Sequence, residues 1–284
     1  MLFVYHNGAY YPSNEPSLMA SNRGFHYGDG FFETIRIYNG QPLYLSHHFS
    51  RVLDTLKVYK IEHSPDFTLE KLRSEILGLC VKNNMHEGGS VRITFTRKGA
   101  GKYLPKEHGL DYLIEATPLD FNSFRLNDMG MKVDIYPDMK KDVNFLSIYK
   151  NINSSIYVMG AIYAQENNLD DALIQNYRGS IIETTNANIF LVSNGVLYTS
   201  SLEDGPVAGI MRMQVINLAL ENNIKVYECP LTPQNLLAAD ELFVTNAISG
   251  IKWVGSYRTK RYFNKMSAEL IGLLNTSAEN AVTV

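Results

Sequence analysis

The chain has little of what several protein classes require. Two cysteines in 284 residues, Cys80 and Cys229, lie far apart and give neither a disulfide framework nor a thiolate metal site. Cys80 falls in a helical apolar pattern and reads as a core thiol, so a reducing compartment is expected. No apolar run approaches the length of a membrane span. No basic stretch precedes an apolar one at the start, where Met1–Tyr5 is broken at once by His6-Asn7-Gly8, so no secretory leader is expected and the cytoplasm is the default. Excess charge is lacking too. Lys and Arg number 26 against 29 Asp and Glu, a net −3 that gives no electrostatic case for nucleic acid or an anionic membrane. No repeat or low-complexity segment stands out.

What is present fits a soluble globular enzyme or binding protein: 45% apolar and 19% charged residues, and length enough for two modest domains with ample core. Asn7-Gly8 and Asn39-Gly40 supply the positive φ of tight hairpin turns. Between them, glycines at 24, 28 and 30 lack phosphate-loop spacing and read as a turn-rich entry to a strand. The patterns predict helices over Ser46–Tyr59 and Thr68–Asn83, an alternating strand over Ser90–Arg97 with Val91, Ile93 and Phe95 inward, and a strand over Asp111–Ala116. His48 and Arg51 share a neighbouring helix face. They could hold a phosphate, but taken alone a solvated helix face explains them better. Leu119–Asp128 is polar and patternless, which places a small α/β domain over 1–118, a linker over 119–131 and a larger domain over 132–284. In the second part the pattern predicts a strand over Met131–Tyr136, then a helix through Ile152, Ile156, Met159 and Tyr163. Short strands follow over Asp171–Gln175, Ser180–Glu183, Asn188–Ser193, Val196–Thr199 and Glu241–Thr245. Helices are predicted after Gly209, after Pro233 and over Asn264–Leu274.

Lys150 closes the apolar run Phe145–Tyr149. A lysine with one end in a dry pocket is partly neutral and nucleophilic toward carbonyls. On its own it reads as a surface lysine. With Glu183, Arg51 and the glycine-led helix start at Gly209-Ile210, it completes the set that one cofactor requires. Pyridoxal phosphate needs a lysine for a Schiff base, an acid against its ring nitrogen, and donors for its phosphate.

The same residues carry a resemblance that spans nearly the whole chain. Tyr27-Gly28-Asp29-Gly30-Phe31-Phe32-Glu33-Thr34, His48-Phe49-Ser50-Arg51, Lys150-Asn151-Ile152-Asn153, Glu183-Thr184-Thr185-Asn186-Ala187-Asn188, Gly209-Ile210-Met211-Arg212 and Phe243-Val244-Thr245-Asn246-Ala247 are collinear. The chain resembles the class IV aminotransferase family of pyridoxal-phosphate enzymes, which includes branched-chain and D-amino acid aminotransferases and aminodeoxychorismate lyases. The resemblance implies an α/β, two-domain D-amino acid aminotransferase-like fold (fold type IV), with a small N-terminal α/β domain and a larger C-terminal pseudo-barrel domain. It also implies a homodimer. Lys150 would link to the cofactor and act in catalysis, and Glu183 would pair with the ring nitrogen. Arg51, Asn188, Gly209, Ile210, Met211, Asn246 and Ala247 would hold the cofactor. Tyr27, Phe32, Arg97, Lys102 and Tyr103 would meet a small amino acid or aminodeoxychorismate substrate, and no metal is implied. The Gly-Asp-Gly and Lys-x-Ile-Asn patterns and the loop Arg97–Tyr103 lean toward a lyase that releases pyruvate and 4-aminobenzoate in folate synthesis. The alternatives are an amino acid aminotransferase using a 2-oxo acid acceptor and, third, a cofactor carrier without turnover.

Overall fold

A computed structural model describes residues 2–15 and 18–283. The chain forms two compact units, Met1–Ser123 with Lys150–Asn153 and Ala278–Val284, and Phe124–Tyr149 with Ser154–Ser277.

In the first unit the elements run β1 (Phe3–His6), β2 (Ala9–Pro12), α1 (Arg23–Tyr27), β3 (Gly30–Tyr38), β4 (Gln41–Pro42), α2 (Leu45–Tyr59), α3 (Leu69–Lys82), β5 (Gly89–Arg97) and β6 (Leu110–Pro118). Among the described residues they build a six-stranded sheet in the order β2-β1-β6-β5-β3-β4. Its neighbouring strands pair antiparallel. Alternation along β5 sends Val91, Ile93 and Phe95 to the core, where they meet Ile35, Leu56, Ile76 and Leu79. Each such side chain contributes about 1.5–3 kcal/mol by leaving water. The opposite face carries Phe32, Thr34, Arg92 and Thr94, with Thr34 opposite Arg92 and Phe32 opposite Thr94. Cys80 is buried in this core, and burial pushes its thiol up to about 11. On α3, buried Glu75 accepts hydrogen bonds from the hydroxyls of Tyr5 (2.6 Å) and Tyr112 (2.7 Å).

The second unit runs β7 (Met131–Ile135), α4 (Ser155–Glu166), β8 (Asp171–Gln175), β9 (Ile181–Thr184), β10 (Asn188–Ser193), β11 (Val196–Thr199), α5 (Ile210–Glu221), β12 (Val226–Glu228), α6 (Pro233–Ala238), β13 (Glu241–Asn246), β14 (Gly250–Tyr257) and β15 (Lys260–Arg261). A last helix, α7, spans Lys265–Thr283. A nine-stranded sheet in the order β12-β11-β10-β13-β14-β7-β8-β9, with β15 on β14 and a further β9–β10 pairing, gathers these strands. Its core holds Leu173, Ile181, Ile189, Leu242 and Val254. Among the described residues no helix is long and apolar enough to cross a membrane, and no group of three or more His, Cys, Asp or Glu could hold a metal.

Three local readings change. Residues 23–27 form a short helix rather than only turns, because the Asn22 side chain accepts from the N–H groups of Gly24 and Phe25 and caps it. The helix after Lys150 begins at Ser155, without Ile152. Lys150–Asn153 is extended instead, and Phe31 bridges Asn151. Backbone pairing to β3 outweighs the local helical period there. The strand β14 and its partner β15 carry no strong alternation and are not expected from the sequence; β13 and β7, the neighbours of β14, supply its ladder, and among the described residues β15 pairs with β14 alone.

The join between Lys150–Asn153 and β3 explains two of the glycines. Gly28 has a φ of +62°, and a Cβ there would collide with the Asn153 side chain; at Gly30 a Cβ would collide with the Phe95 carbonyl and crowd Ile152. Gly30→Ala is therefore expected to destabilise the protein by about 1–3 kcal/mol, as overpacking does, seen as a lowered Tm. An unchanged Tm would mean that the segment does not pack on β3 as described.

Candidate active site

Lys150 is placed by backbone hydrogen bonds. Phe32 N–H donates to the Lys150 carbonyl (2.9 Å) and Ile152 N–H to the Gly30 carbonyl (3.2 Å), so the lysine extends the sheet beside β3. Asn153 Nδ2 donates to the Gly28 carbonyl (3.2 Å) and locks the end of the segment. The Gly-Asp-Gly and Lys-x-Ile-Asn motifs are thus two halves of one contact. Lys150 Nζ lies 4.4 Å from the centre of the Phe32 ring, and the Arg92 guanidinium carbon lies 3.8 Å from the same centre. The two cations are therefore no farther apart than the sum of those distances. Sequence reading placed Arg92 only on the outward face of its strand and gave it no role. Its signal is the outward alternation on a sheet face that Lys150 also meets.

Arg51 lies on α2, but not on a solvated face. Its Nε and Nη2 donate to the two carboxylate oxygens of Glu33 (2.7 and 2.6 Å), and His48 Nδ1 donates to Glu33 Oε2 (2.7 Å). Glu33 and His48 are both buried. Burial alone would raise the Glu33 carboxyl, but the Arg51 guanidinium and the His48 ring bring it down to about 2. Burial lowers His48, so its ring is neutral at pH 7. The guanidinium is held flat and fixed by Glu33, a rigid mount for an anion such as a phosphate. The helical spacing of His48 and Arg51 was legible. Glu33, which ties them together from β3, was not given this role.

Tyr27 and Tyr103 have ring centres 5.7 Å apart. Arg97, assigned to substrate by its loop position, is buried instead: it donates to both oxygens of Asp29 (3.0 and 3.2 Å) and to the carbonyls of Tyr59 and Lys60 (2.7 Å each). Lys102 and Tyr103 are exposed on the following loop.

In the second unit, Glu183 on β9 is buried and pairs in register with Asn188 on β10. Its Oε1 accepts from Lys141 Nζ (2.7 Å) and the Tyr157 hydroxyl (2.7 Å); its Oε2 accepts from the N–H of Val207 (2.8 Å). Burial and this carboxylate push the Tyr157 hydroxyl well above the usual tyrosine range. Asn188 Nδ2 donates to the Val207 carbonyl (2.8 Å). Glu183 and Asn188 thus grip the same loop residue, two positions before Gly209, the N-cap of α5. A Cβ at Gly209 would collide with Asn188 Oδ1. Asn246 Oδ1 accepts from the N–H groups of Ile248 and Ser249 (3.1 and 2.8 Å), and its Nδ2 donates to Asn186 Oδ1 (3.3 Å), so its side chain shapes the turn that carries Ala247. Neither Lys141 nor Tyr157 was foreseen, since both reach Glu183 only through folding.

These residues fit the cofactor that the motifs imply. A carboxylate offers about four acceptor positions. Glu183 uses three, and Oε2 carries only one donor, so it can accept from a ring N–H. At the start of α5 the first N–H groups, those of Ile210 and Met211 included, have no intrahelical acceptor. Opposite Asn188 in register, the buried Thr245 Oγ1 has no hydrogen-bond partner, which is a polar atom awaiting one.

The Glu33 cluster sets an acid limit on stability. Glu33 has a folded pKa below its unfolded value near 4.5, so its contribution is full above that value and lost as pH falls toward about 2; the span corresponds to on the order of 3 kcal/mol. His48, lowered by burial, acts in the same direction below its ordinary value. Stability should therefore fall as pH drops from 7 to 3, and Glu33→Gln should be less stable at pH 7 with a shallower decline. Equal slopes in Tm against pH for the two proteins would show that Glu33 is not held ionised by this cluster.

The family model for amino-transferase class IV matches residues 30–257. A protein of Methanocaldococcus jannaschii, described as a branched-chain-amino-acid aminotransferase, is 30% identical over 276 residues, covering 94% of this chain and 92% of its own length. The D-alanine aminotransferase of Bacillus licheniformis is 27% identical over 282 residues, covering 98% and 96%. Among solved structures, one from Legionella pneumophila, described as a 4-amino-4-deoxychorismate lyase, superposes with a TM-score of 0.84 at 24% identity, covering 93% of this chain and 96% of that one. The match spans Lys150, Glu183, the α5 start and the strands that hold them: the chain belongs to the class IV amino-transferase family of pyridoxal-phosphate enzymes.

Proposed function

We propose that this chain is an amino acid aminotransferase that passes an amine to a 2-oxo acid. The observation that carries the reading is the Phe32 ring shared by Lys150 Nζ and the Arg92 guanidinium. An amino acid needs an aldehyde for its amine and a cation for its carboxylate, close to each other; Lys150 would hold the aldehyde-bearing cofactor and Arg92 would be the cation. The two curated relatives support it, since both carry aminotransferase names.

Bound pyridoxal phosphate supplies an aldehyde carbon and a ring that draws electrons from the substrate. Lys150 would hold that group through its amine and would serve as the general base for the Cα proton. Glu183 would accept a ring N–H and so favour the protonated nitrogen, while Lys141 and Tyr157 hold its carboxylate in place. Arg51, fixed by Glu33, and the N–H groups of Ile210 and Met211 would hold the phosphate, with Gly209 allowing a close approach; Asn188 braces this loop, and Asn246 and Ala247 form the turn that would lie beside it. Arg92 takes the substrate carboxylate, and Phe32 packs along the substrate. The second unit and the first are expected to work as domains of one enzyme divided near 119–131, in a homodimer in the cytoplasm.

The lyase remains the second reading, supported by the Lys150-Asn151-Ile152-Asn153 pattern and by the fold of the Legionella protein. Its substrate loop is weakened by the burial of Arg97 against Asp29.

With the holoenzyme, amino acid and 2-oxo acid together should give the exchanged products, and aminodeoxychorismate should be left intact. Pyruvate and 4-aminobenzoate appearing together, with no acceptor needed, would move the assignment to the lyase. Lys150→Ala should abolish turnover and the visible absorption of the lysine-bound cofactor; retained turnover sinks the assignment of that residue. Arg92→Gln should raise the amino acid KM about 10- to 100-fold, the loss of one hydrogen-bonded charge pair, with kcat far less changed. A KM that stays put rules Arg92 out as the carboxylate site.

A further inference from the structure

Arg23 is buried at 2% exposure, and none of the steps above uses it. Its Nε donates to Asp29 Oδ2 (2.7 Å). Nη1 donates to the carbonyls of Lys102 (2.8 Å) and Gly101 (3.4 Å), and Nη2 to that of Tyr103 (3.4 Å). Asp29 also receives both donors of Arg97 described above. Burial alone would raise the Asp29 carboxyl, but the two guanidinium groups bring it below the usual range. One ionised carboxylate therefore orients two buried arginines, and the two serve different ends. Arg97 ties back to the end of α2 through Tyr59 and Lys60, whereas Arg23 reaches forward to the loop.

That loop runs from Lys98 to Gly109. Its base is closed by Lys98 N–H donating to the Gly109 carbonyl (2.7 Å), and a bridge joins Gly101 to Pro105. The tip has no core of its own, because Tyr103 and Leu104 are 90% and 83% exposed. A segment without buried apolar side chains must be held by polar contacts or not at all. Here successive tip carbonyls at 101, 102 and 103 turn to a single guanidinium, whose planar fork can serve several acceptors at once. The Arg23 guanidinium also lies 4.9 Å from the Tyr27 ring centre, and Tyr27 in turn meets Tyr103. Burying an arginine is costly unless its donors are used, and these are used on the loop that presents Lys102 and Tyr103.

We infer that Arg23, oriented by Asp29, is a positioning residue that fixes the tip 101–103 so that Lys102 and Tyr103 recognise the side chain of the substrate. The inference rests on the aminotransferase reading. Arg23 touches neither substrate nor cofactor, and it acts through the backbone of the tip.

The test uses Arg23→Lys, which keeps a charge for Asp29 but loses the fork. In the holoenzyme the absorption of the lysine-bound cofactor should be unchanged, the amino acid KM should rise about tenfold, as for loss of one to two charge-assisted hydrogen bonds, and kcat should change far less. Trypsin cleavage after Lys102 in the cofactor-free protein should quicken about tenfold, because cleavage tracks the population of the opened loop. Lys102→Ala and Tyr103→Ala, at exposed positions that leave the core alone, should raise KM as well. Each should add little when combined with Arg23→Lys, because both act through one tip. Unchanged cleavage in Arg23→Lys overturns the latch. Faster cleavage with an unmoved KM, tip variants without effect on KM, or fully additive effects overturn the role in recognition. Should Arg23→Lys not fold, the two tip variants and their KM values still decide the recognition role. Failure of the underlying reading looks different: the unsubstituted protein would show no exchange of amine between amino acid and 2-oxo acid, while the change in trypsin cleavage would persist.

Discussion

The proposed site depends on one short stretch of backbone lying against one strand. Lys150 and Ile152 exchange hydrogen bonds with Phe32 and Gly30, and that pairing puts a lysine that belongs to no helix onto the end of a sheet. Two glycines make the pairing possible. A side chain at either position would strike Asn153 or the Phe95 carbonyl, so the segment would be pushed off the strand. A lysine held this way has its backbone defined on both sides, and its amine meets a ring, Phe32, that is itself a neighbour in the same pairing. Placing Lys150 on sheet backbone rather than on a loop limits its drift, as the proton transfer proposed for it would require.

A second pattern recurs around it. Several charged groups of the candidate site and its surroundings are mounted on partners of opposite charge. Glu33 holds Arg51, Lys141 holds Glu183, and Asp29 holds Arg23 and Arg97. Surface ion pairs contribute little to stability. In each of these at least one partner is buried, so its charge would be costly alone and is compensated only in one geometry. The result is a set of charged groups that cannot reorient freely, and a guanidinium or carboxylate that is already aimed needs no reorganisation when an anion or a ring nitrogen arrives.

Legibility followed the range of the interaction. Helices α2, α3 and α6 and strands β5, β8, β10 and β13 were readable because their periodicity and caps are local. The motif residues Lys150, Glu183, Arg51 and Gly209 were readable because spacing along the chain survives divergence. Arg97 illustrates the opposite. From sequence it is a cation at the root of a basic loop, suited to a carboxylate; in the fold, Asp29 lies 68 positions away in sequence and takes it. Arg92 shows the reverse error, an outward residue on an alternating strand that the sheet face brings to Phe32. Lys141 and Tyr157 converge on Glu183 from 42 and 26 positions away, a meeting that no local pattern encodes.

The sequence by itself determined the alternation and periodicity that make these strands and helices, the glycines that their turns and joins need, and the family to which the motifs belong. Those features depend on neighbours a few residues apart and on residue type. Only the tertiary structure decided which charges became partners, which arginine was buried and which was left on a sheet face, and how a four-residue segment left the second unit to pair with the first. Pairing of buried charges and backbone closure between distant segments are set by the packing of whole elements, and their energies exist only once those elements have met.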